Sequence, residues 1–329
     1  MKILVAGGAG YIGSCTTEYL LERGHEICVF DALLNGHRQA VDPRAKFVKG
    51  NLEDFSAIDN AIRDFQPEGV IHFAAFIEVG ESMKLPGKYF RNNVANAMNL
   101  AEACAKNGVR KIVFSSTAAT YGMPKNVPIK ETEPTIPINP YGESKLMFEK
   151  ILRWYHDIHG LQYTALRYFN AAGATPVHGE DHHPETHLIP LVMQAAEGKR
   201  PKISVFGTDY DTPDGTCIRD YIHVVDLARG HVAAIAYMDA HTGESVFNLG
   251  TGKGSSVLEM VRAFETANHL VIPFEFAPRR AGDLPVCYAC PDKSAKLLLW
   301  RAQYDIVDMC RDTWNWQSKN PMGYNSAKS

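Results

Sequence analysis

The chain opens with an apolar run, a glycine-rich break, a helical repeat and a second apolar run. Lys2-Ile-Leu-Val-Ala reads as a strand, Gly7-Gly-Ala-Gly-Tyr-Ile-Gly13 as a turn, Ser14 to Arg23 as a helix, and His25 to Phe30 as a strand ending at Asp31. Short, continuously apolar strands suit a sheet covered on both faces. Lys46-Phe-Val-Lys, Gly69-Val-Ile-His-Phe, Lys111-Ile-Val-Phe and Tyr163-Thr-Ala-Leu-Arg predict further strands, with helices at Ala57 to Phe65, Asn93 to Asn107 and Tyr141 to His156 between them. This alternation predicts an α/β fold with a doubly wound parallel, Rossmann-type sheet.

After Asn170 the rhythm changes to a polar loop from Thr175 to Thr186, a helix from Leu188 to Glu197, and short elements rich in Gly and Pro. We therefore expect a nucleotide-binding domain at 1–172 and a smaller substrate-binding region at 173–329. Val224 to Tyr237 reads as another core segment, through which the chain crosses back to the first region.

Composition narrows the partners. With 329 residues, 45% hydrophobic and 22% charged, the chain is ordinary for a globular protein. A formal net charge of -3 gives no overall field to attract nucleic acid or an anionic membrane, so neither is expected as a partner. Cys15, Cys28, Cys104, Cys217, Cys287, Cys290 and Cys310 are odd in number and scattered, unlike a disulfide framework. No segment approaches the ~20 apolar residues of a membrane span, and Met1 to Val5 run straight into the glycine turn without a leader pattern. A cytoplasmic location is expected.

Gly7-x-x-Gly10-x-x-Gly13 follows a strand and opens a helix, where missing side chains let the backbone turn tightly and approach a pyrophosphate. Asp31 closes the second strand, where a carboxylate accepts from an adenosine ribose and repels a 2′-phosphate. Together they favour NAD over NADP; Arg38 is the nearby cation that would argue the other way. Tyr141 and Lys145 stand four apart and share one helical face. A free phenol has a pKa of ~10, so a nearby cation is needed to favour the phenolate. The pair follows Phe114-Ser-Ser-Thr117, a strand end carrying hydroxyls where a parallel sheet presents ligands.

Several longer segments are similar to one family. The glycine motif, Phe114-Ser-Ser-Thr-Ala-Ala-Thr-Tyr-Gly122, Asn139-Pro-Tyr-Gly-Glu-Ser-Lys145, Arg167-Tyr-Phe-Asn-Ala-Ala-Gly173, Asp214-Gly-Thr-Cys-Ile-Arg-Asp-Tyr-Ile-His-Val224 and Arg279-Arg-Ala-Gly-Asp283 resemble the extended short-chain dehydrogenases/reductases, and among them the nucleotide-sugar 4-epimerases. The resemblance runs almost end to end. It implies a tightly held NAD regenerated in each turnover, a UDP-sugar substrate interconverted between its glucose and galactose forms, and a homodimer built from helices near Asn93 to Asn107 and Tyr141 to His156. Tyr141 would take the proton from the sugar 4′-hydroxyl, Thr117 would hydrogen-bond the same oxygen, and Lys145 would hold the nicotinamide ribose and tune Tyr141.

On the cofactor side the resemblance extends to Tyr11, Ile12, Asn35, Gly36, Asn51, Leu52, Phe73, Ala74, Ala75, Asn92, Ser115, Tyr168 and Phe169. Asn51 stands where the family usually has an aspartate facing adenine, and Ile77 where some relatives have a lysine. On the substrate side, Asn170, His187, Leu188, Phe206, Arg219, Arg280 and Asp283 match positions that hold UDP. Cys287 matches a position beside the sugar's 2′ substituent, where a small side chain leaves room for an N-acetyl group. Guanidinium forks suit a diphosphate independently of the resemblance.

Two alternatives bear on the same residues. A 4,6-dehydratase needs an acid after the strand-end hydroxyl, whereas Ala118 and Ala119 follow Thr117. A non-enzymatic NAD sensor would need none of Tyr141, Lys145 and Thr117. His178, Asp181, His182, His183 and His187 crowd one loop without a common zinc spacing, so we expect a solvated loop and no metal. Cys287-x-x-Cys290 lacks a second pair, and Trp314 and Trp316 read as packing residues of a terminal segment.

Overall fold

Each apolar run becomes a strand with slightly moved ends in the computed structural model, which describes residues 1–182, 187–280 and 282–325. His183, the end of the polar loop and Ala281 lie outside the described residues. Strands β1 (Lys2–Ala6), β2 (Glu26–Asp31), β3 (Lys46–Lys49), β4 (Gly69–His72), β5 (Lys111–Thr117) and β6 (Gln162–Tyr168) form one sheet. Short strands follow outside it: β7 (Asn170–Ala172), β8 (Ile203–Phe206), β9 (Ile218–Arg219) and β10 (Tyr221–His223). β11 (Glu244–Leu249) then returns to the sheet edge, and β12 (Ser255–Ser256), β13 (Phe274–Ala277) and β14 (Val286–Cys287) pair with the short strands. The seven-stranded order is β11-β6-β5-β4-β1-β2-β3, and every pair is parallel.

Burial on both faces explains the unbroken apolar runs. Leu4 and Ala6 of β1 enter one core cluster, Ile3 and Val5 the other. The helices are α1 (Tyr11–Glu22), α2 (Phe55–Phe65), α3 (Val79–Ser82), α4 (Pro86–Phe90), α5 (Ala97–Lys106), α6 (Pro140–His159), α7 (Leu188–Ala196), α8 (Val224–Ala240), α9 (Val257–Asn268), α10 (Asp292–Leu297) and α11 (Ile306–Gln317). Ile58, Ile62, Leu100, Cys104, Phe148 and Leu152 cover one sheet face from α2, α5 and α6. Leu20 of α1 and Leu227, Ile235 and Met238 of α8 cover the other. The expected return of the chain thus takes the form of α8 packed on the sheet and β11 paired with β6. A third cluster joins α7, α9 and α11 through Val192, Met193, Met260, Phe264, Met309 and Cys310.

Some local expectations need correction. α1 begins at Tyr11 rather than Ser14, because Gly10 has the extended geometry of an N-cap. The segment expected as one helix from Asn93 opens with a wide π turn over Arg91–Asn96 before α5. The described part of the polar loop, 175–182, is partly packed rather than solvated throughout: Thr175 donates to Glu18 at 2.6 Å, the Trp316 indole to the Val177 carbonyl at 3.1 Å, and His178 is buried.

Candidate active site

The glycine turn is shaped by close approaches at two of its three positions. A Cβ on Gly7, whose φ is +83°, would stand 2.4 Å from the Ala74 nitrogen, and one on Gly13 would stand 2.2 Å from the Gly7 carbonyl oxygen. At Gly10 an added Cβ would meet only the Gly7 oxygen at 3.6 Å. The fold itself does not demand glycine there, and the missing side chain leaves the mouth of α1 uncrowded. No side chain caps α1 and no acid occupies its first turn, so its amides and positive dipole end remain available to an anion.

Around this turn gather the carboxyl ends of β1 to β6, carrying nearly all the expected cofactor residues. Asp31 accepts from the Ala9 amide at 2.9 Å and the Leu33 amide at 2.8 Å, fixing it beside the turn. Burial pushes its carboxyl up and those amides pull it part of the way back. Asn35 and Gly36 follow on a loop so near that a Gly36 Cβ would stand 2.9 Å from Ala9 backbone. Tyr11 donates to the Gly173 carbonyl at 2.5 Å, and Ile12 packs with it. Phe73 and Ala74 donate their amides to the Ala6 carbonyl at 2.8 and 3.1 Å, with Ala75 half-buried beyond them. Asn51 uses its side-chain oxygen on the Glu53 amide at 3.0 Å, and Leu52 holds Asn99 through its carbonyl at 2.7 Å. Asn92 lies on the π turn, where its neighbour Asn93 bonds Ser144 of α6 at 3.1 Å. Ile77 is half-buried. Arg38 stacks on Phe47, its guanidinium carbon 4.7 Å from the ring centre.

Next to these strand ends stands the pair on α6. Asn139 caps the helix by accepting from the Gly142 amide at 2.8 Å, and Pro140 occupies its first turn. A Cβ on Gly142 would come within 2.6 Å of the Ala119 oxygen, so the start of α6 lies directly on the turn after Thr117. Thr117 is thereby brought close enough to the Tyr141 phenol to favour its ionised form. Burial raises that phenol to about 12, against Thr117, which lowers it, and Glu78 adds a further rise.

Lys145 is anchored on the backbone at the end of β5. Its ammonium donates to the Ser115 carbonyl at 2.8 Å, and burial lowers it to about 7 against the attraction of Glu149. Tyr168 bonds the Ser115 hydroxyl, and Phe169 is half-buried beside it. Glu149, one turn beyond Lys145, was missed in the sequence although its i+4 spacing put it on the same face. It accepts from Ser116 at 2.5 Å and takes a fork from Arg167 at 2.9 and 2.5 Å, a nearly dry charge pair that fixes α6 to β5 and β6.

The expected substrate residues form a second group. Arg219 on β9 faces Cys287 on β14 in register and reaches Asp283 at 3.5 Å. Its guanidinium is pre-set by donating to the Ile218 and Leu284 carbonyls at 2.9 and 2.7 Å. Arg280 pairs with Asp283 at 2.9 Å and lies 4.8 Å over the Phe206 ring. Asn170, two residues past Tyr168, donates to the Asp220 carbonyl at 3.0 Å, linking this group to the hydroxyl cluster. Asp220, also missed, is fully buried and accepts from Thr251 and Ala289, tying β9 to β14. Leu188 packs into the cluster containing Tyr221, while His187 caps α7 and faces Glu180. Cys287 and Cys290 are both unpaired thiols.

Hydroxyl, phenol and ammonium at one strand end, beside a glycine turn under an open helix N-terminus, define a site for dinucleotide-linked exchange between an alcohol and a carbonyl. Comparison with known proteins makes that class specific. A model described as the NAD dependent epimerase/dehydratase family matches residues 3–250, and the chain belongs to this family. It is 50% identical over 327 residues to a UDP-glucose 4-epimerase of Lacticaseibacillus casei, covering 98% of this chain and 99% of that one. Its fold superposes with a TM-score of 0.93 on the UDP-glucose 4-epimerase of Bifidobacterium longum in complex with NAD+ and UDP, at 42% identity over 98% of this chain and 100% of that one. The UDP-Glc/GlcNAc 4-epimerase of Campylobacter jejuni is similar at a TM-score of 0.86 and 42% identity, covering 97% and 99% of the two chains.

Proposed function

We propose that this chain is an NAD-dependent UDP-glucose 4-epimerase that interconverts UDP-glucose and UDP-galactose, and that it serves galactose metabolism. The observation carrying the reading is the placing of Tyr141 beside Thr117 at the end of β5, next to the uncrowded glycine turn at Gly10 that opens α1. The donors present fit the dinucleotide: the α1 amides suit its pyrophosphate, Asp31 its adenosine ribose, and Lys145 its nicotinamide ribose. Bound NAD supplies a hydride acceptor and donor at the sugar C4.

This chain's own residues handle the proton and the anion. Tyr141 takes the proton of the 4′-hydroxyl as the 4-keto sugar forms and returns it to the oxygen when the opposite face is reduced. Thr117 holds that oxygen and favours the phenolate. Arg219 and Arg280 hold the diphosphate, Asp283 the uridine ribose, and Asn170, His187, Leu188 and Phe206 the rest of UDP, so the sugar can turn about its link without leaving. Small Cys287 admits an N-acetyl group at C2, extending the substrates to UDP-N-acetylglucosamine and UDP-N-acetylgalactosamine.

Residues 1–172 with α8 and β11 form the NAD-binding part, and the remainder of 173–329 holds the sugar nucleotide. A homodimer is supported by apolar exposure along α5 and α6, with Met98 at 38%, Met147 at 37%, Trp154 at 58% and Ile158 at 68%. A cytoplasmic location is supported by seven unpaired cysteines. Among the described residues no helix is long and apolar enough to cross a membrane. Ala118 and Ala119 offer no acid for elimination of water, which weighs against a dehydratase. Following UDP-galactose and UDP-glucose by chromatography with the purified protein tests the proposal.

A further inference from the structure

Away from the proposed hydride-transfer chemistry, the segment between β7 and α7 brings together three metal-ligating groups. Glu180 Oε1 stands 3.1 Å from His182 Nδ1 and 2.9 Å from His187 Nδ1. One ligand atom from each of the three residues lies within 4.8 Å of the others. Donors sharing a first-row ion at about 2.0–2.2 Å stand roughly 3–3.5 Å apart at neighbouring vertices, and both measured separations are close to that spacing.

Charge points the same way. The Glu180 side chain is only 8% exposed, and a buried carboxylate costs several kcal/mol unless its charge is matched. Among the described residues its ion-pair partners are these two imidazoles. A divalent ion would match that charge and use imidazole in its ligating form.

The backbone carrying these groups is already anchored. Asp181, between two of them, accepts from the Tyr324 amide at 2.9 Å, and its carbonyl bonds His37 Nε2 at 3.0 Å. The His182 ring meets Tyr11 edge-on at 6.5 Å. We propose that Glu180, His182 and His187 form a site for a divalent first-row transition ion of the zinc class, tying Glu180 and His182 to the N-terminus of α7. Three protein ligands leave further coordination positions for water or an anionic oxygen. The proposal shares His187 with the proposed UDP site, and its test reads metal binding rather than turnover.

The test uses the full chain without a histidine tag, stripped with a chelator and titrated with zinc chloride by calorimetry, then with cobalt(II) as an optical probe. The expected result is one equivalent bound, with a cobalt d–d band characteristic of nitrogen and oxygen donors. Glu180→Gln and His182→Gln should each weaken binding by at least about tenfold, while Cys290→Ser leaves it unchanged. Circular dichroism identifies any variant that has lost its fold, and the other variant then decides. The absence of stoichiometric binding by the unmodified chain, or equal affinity in a folded ligand variant, overturns the site.

Discussion

The Lys145 ammonium donates to the Ser115 backbone carbonyl at 2.8 Å, whereas the Tyr141 phenol one turn earlier answers to Thr117, which favours its ionised form. The phenol and the ammonium of the shared helical face are therefore governed by different partners. Burial holds Tyr141 at about 12 although Thr117 pulls it down.

Tyr141→Phe should retain NAD and lose turnover by a factor of at least ~10²–10⁴, the worth of a positioned acid/base. Thr117→Ala should lose less. Because its hydroxyl lowers the phenol's pKa, removal should also move the acidic limb of kcat/KM to higher pH. Near-normal turnover in Tyr141→Phe, or an unmoved limb in Thr117→Ala, would separate these residues from the proton transfer.

Asp31 lies beside the glycine turn as a buried carboxylate. The unmodified chain should bind NAD more tightly than NADP, and Asp31→Ala should narrow the gap, since a carboxylate repels a 2′-phosphate. Calorimetry with both dinucleotides checks this. Equal affinities in the unmodified chain would assign control to a cation such as Arg38.

Cys287 lies opposite Arg219 on adjoining strands, within the proposed substrate group. Cys287→Tyr should suppress turnover of the acetylated UDP-sugars selectively, because overfilling a pocket costs roughly 1–3 kcal/mol while the smaller sugars still fit. The measurement is kcat/KM for both sugar pairs in both proteins. Equal losses for the two pairs would show that Cys287 does not gate the C2 substituent.

Burial lowers His72 to about 3, with Lys145 adding to the fall, and lowers His231 to about 4 against its bond to Leu227. Between those values and the unfolded value near 6.5, the unfolded chain binds protons that the native chain refuses. Native stability should therefore fall as pH drops below about 6.5, each histidine contributing on the order of 1 kcal/mol per pH unit. Urea midpoints should decline from about pH 7 to about pH 4.5, with a shallower slope in His231→Gln. A midpoint that rises on acidification contradicts the neutral burial of these rings.

Local patterns made the sheet legible: the runs at Lys2, Gly69 and Lys111 each predict a strand without reference to any partner. Gly7 and Gly13 announced a turn for the same reason, although the contacts requiring them lie in part on Ala74 after β4. The π turn at Arg91–Asn96 was not legible, because its sequence keeps an ordinary helical repeat. Nor was the packing of the histidine-bearing loop, whose partners Glu18 and Trp316 lie far away along the chain. Glu149 was visible by spacing from Lys145, but its buried bond to Arg167 depends on β6 arriving beside α6.

The most direct measurement follows UDP-galactose in the presence of purified protein with no added cofactor, recording both the sugar products and net reduced nicotinamide. The account predicts equilibration with UDP-glucose, a retained NAD and no stoichiometric gain in reduced nicotinamide. Turnover that requires and consumes added NAD, or accumulation of a dehydrated sugar, would contradict it.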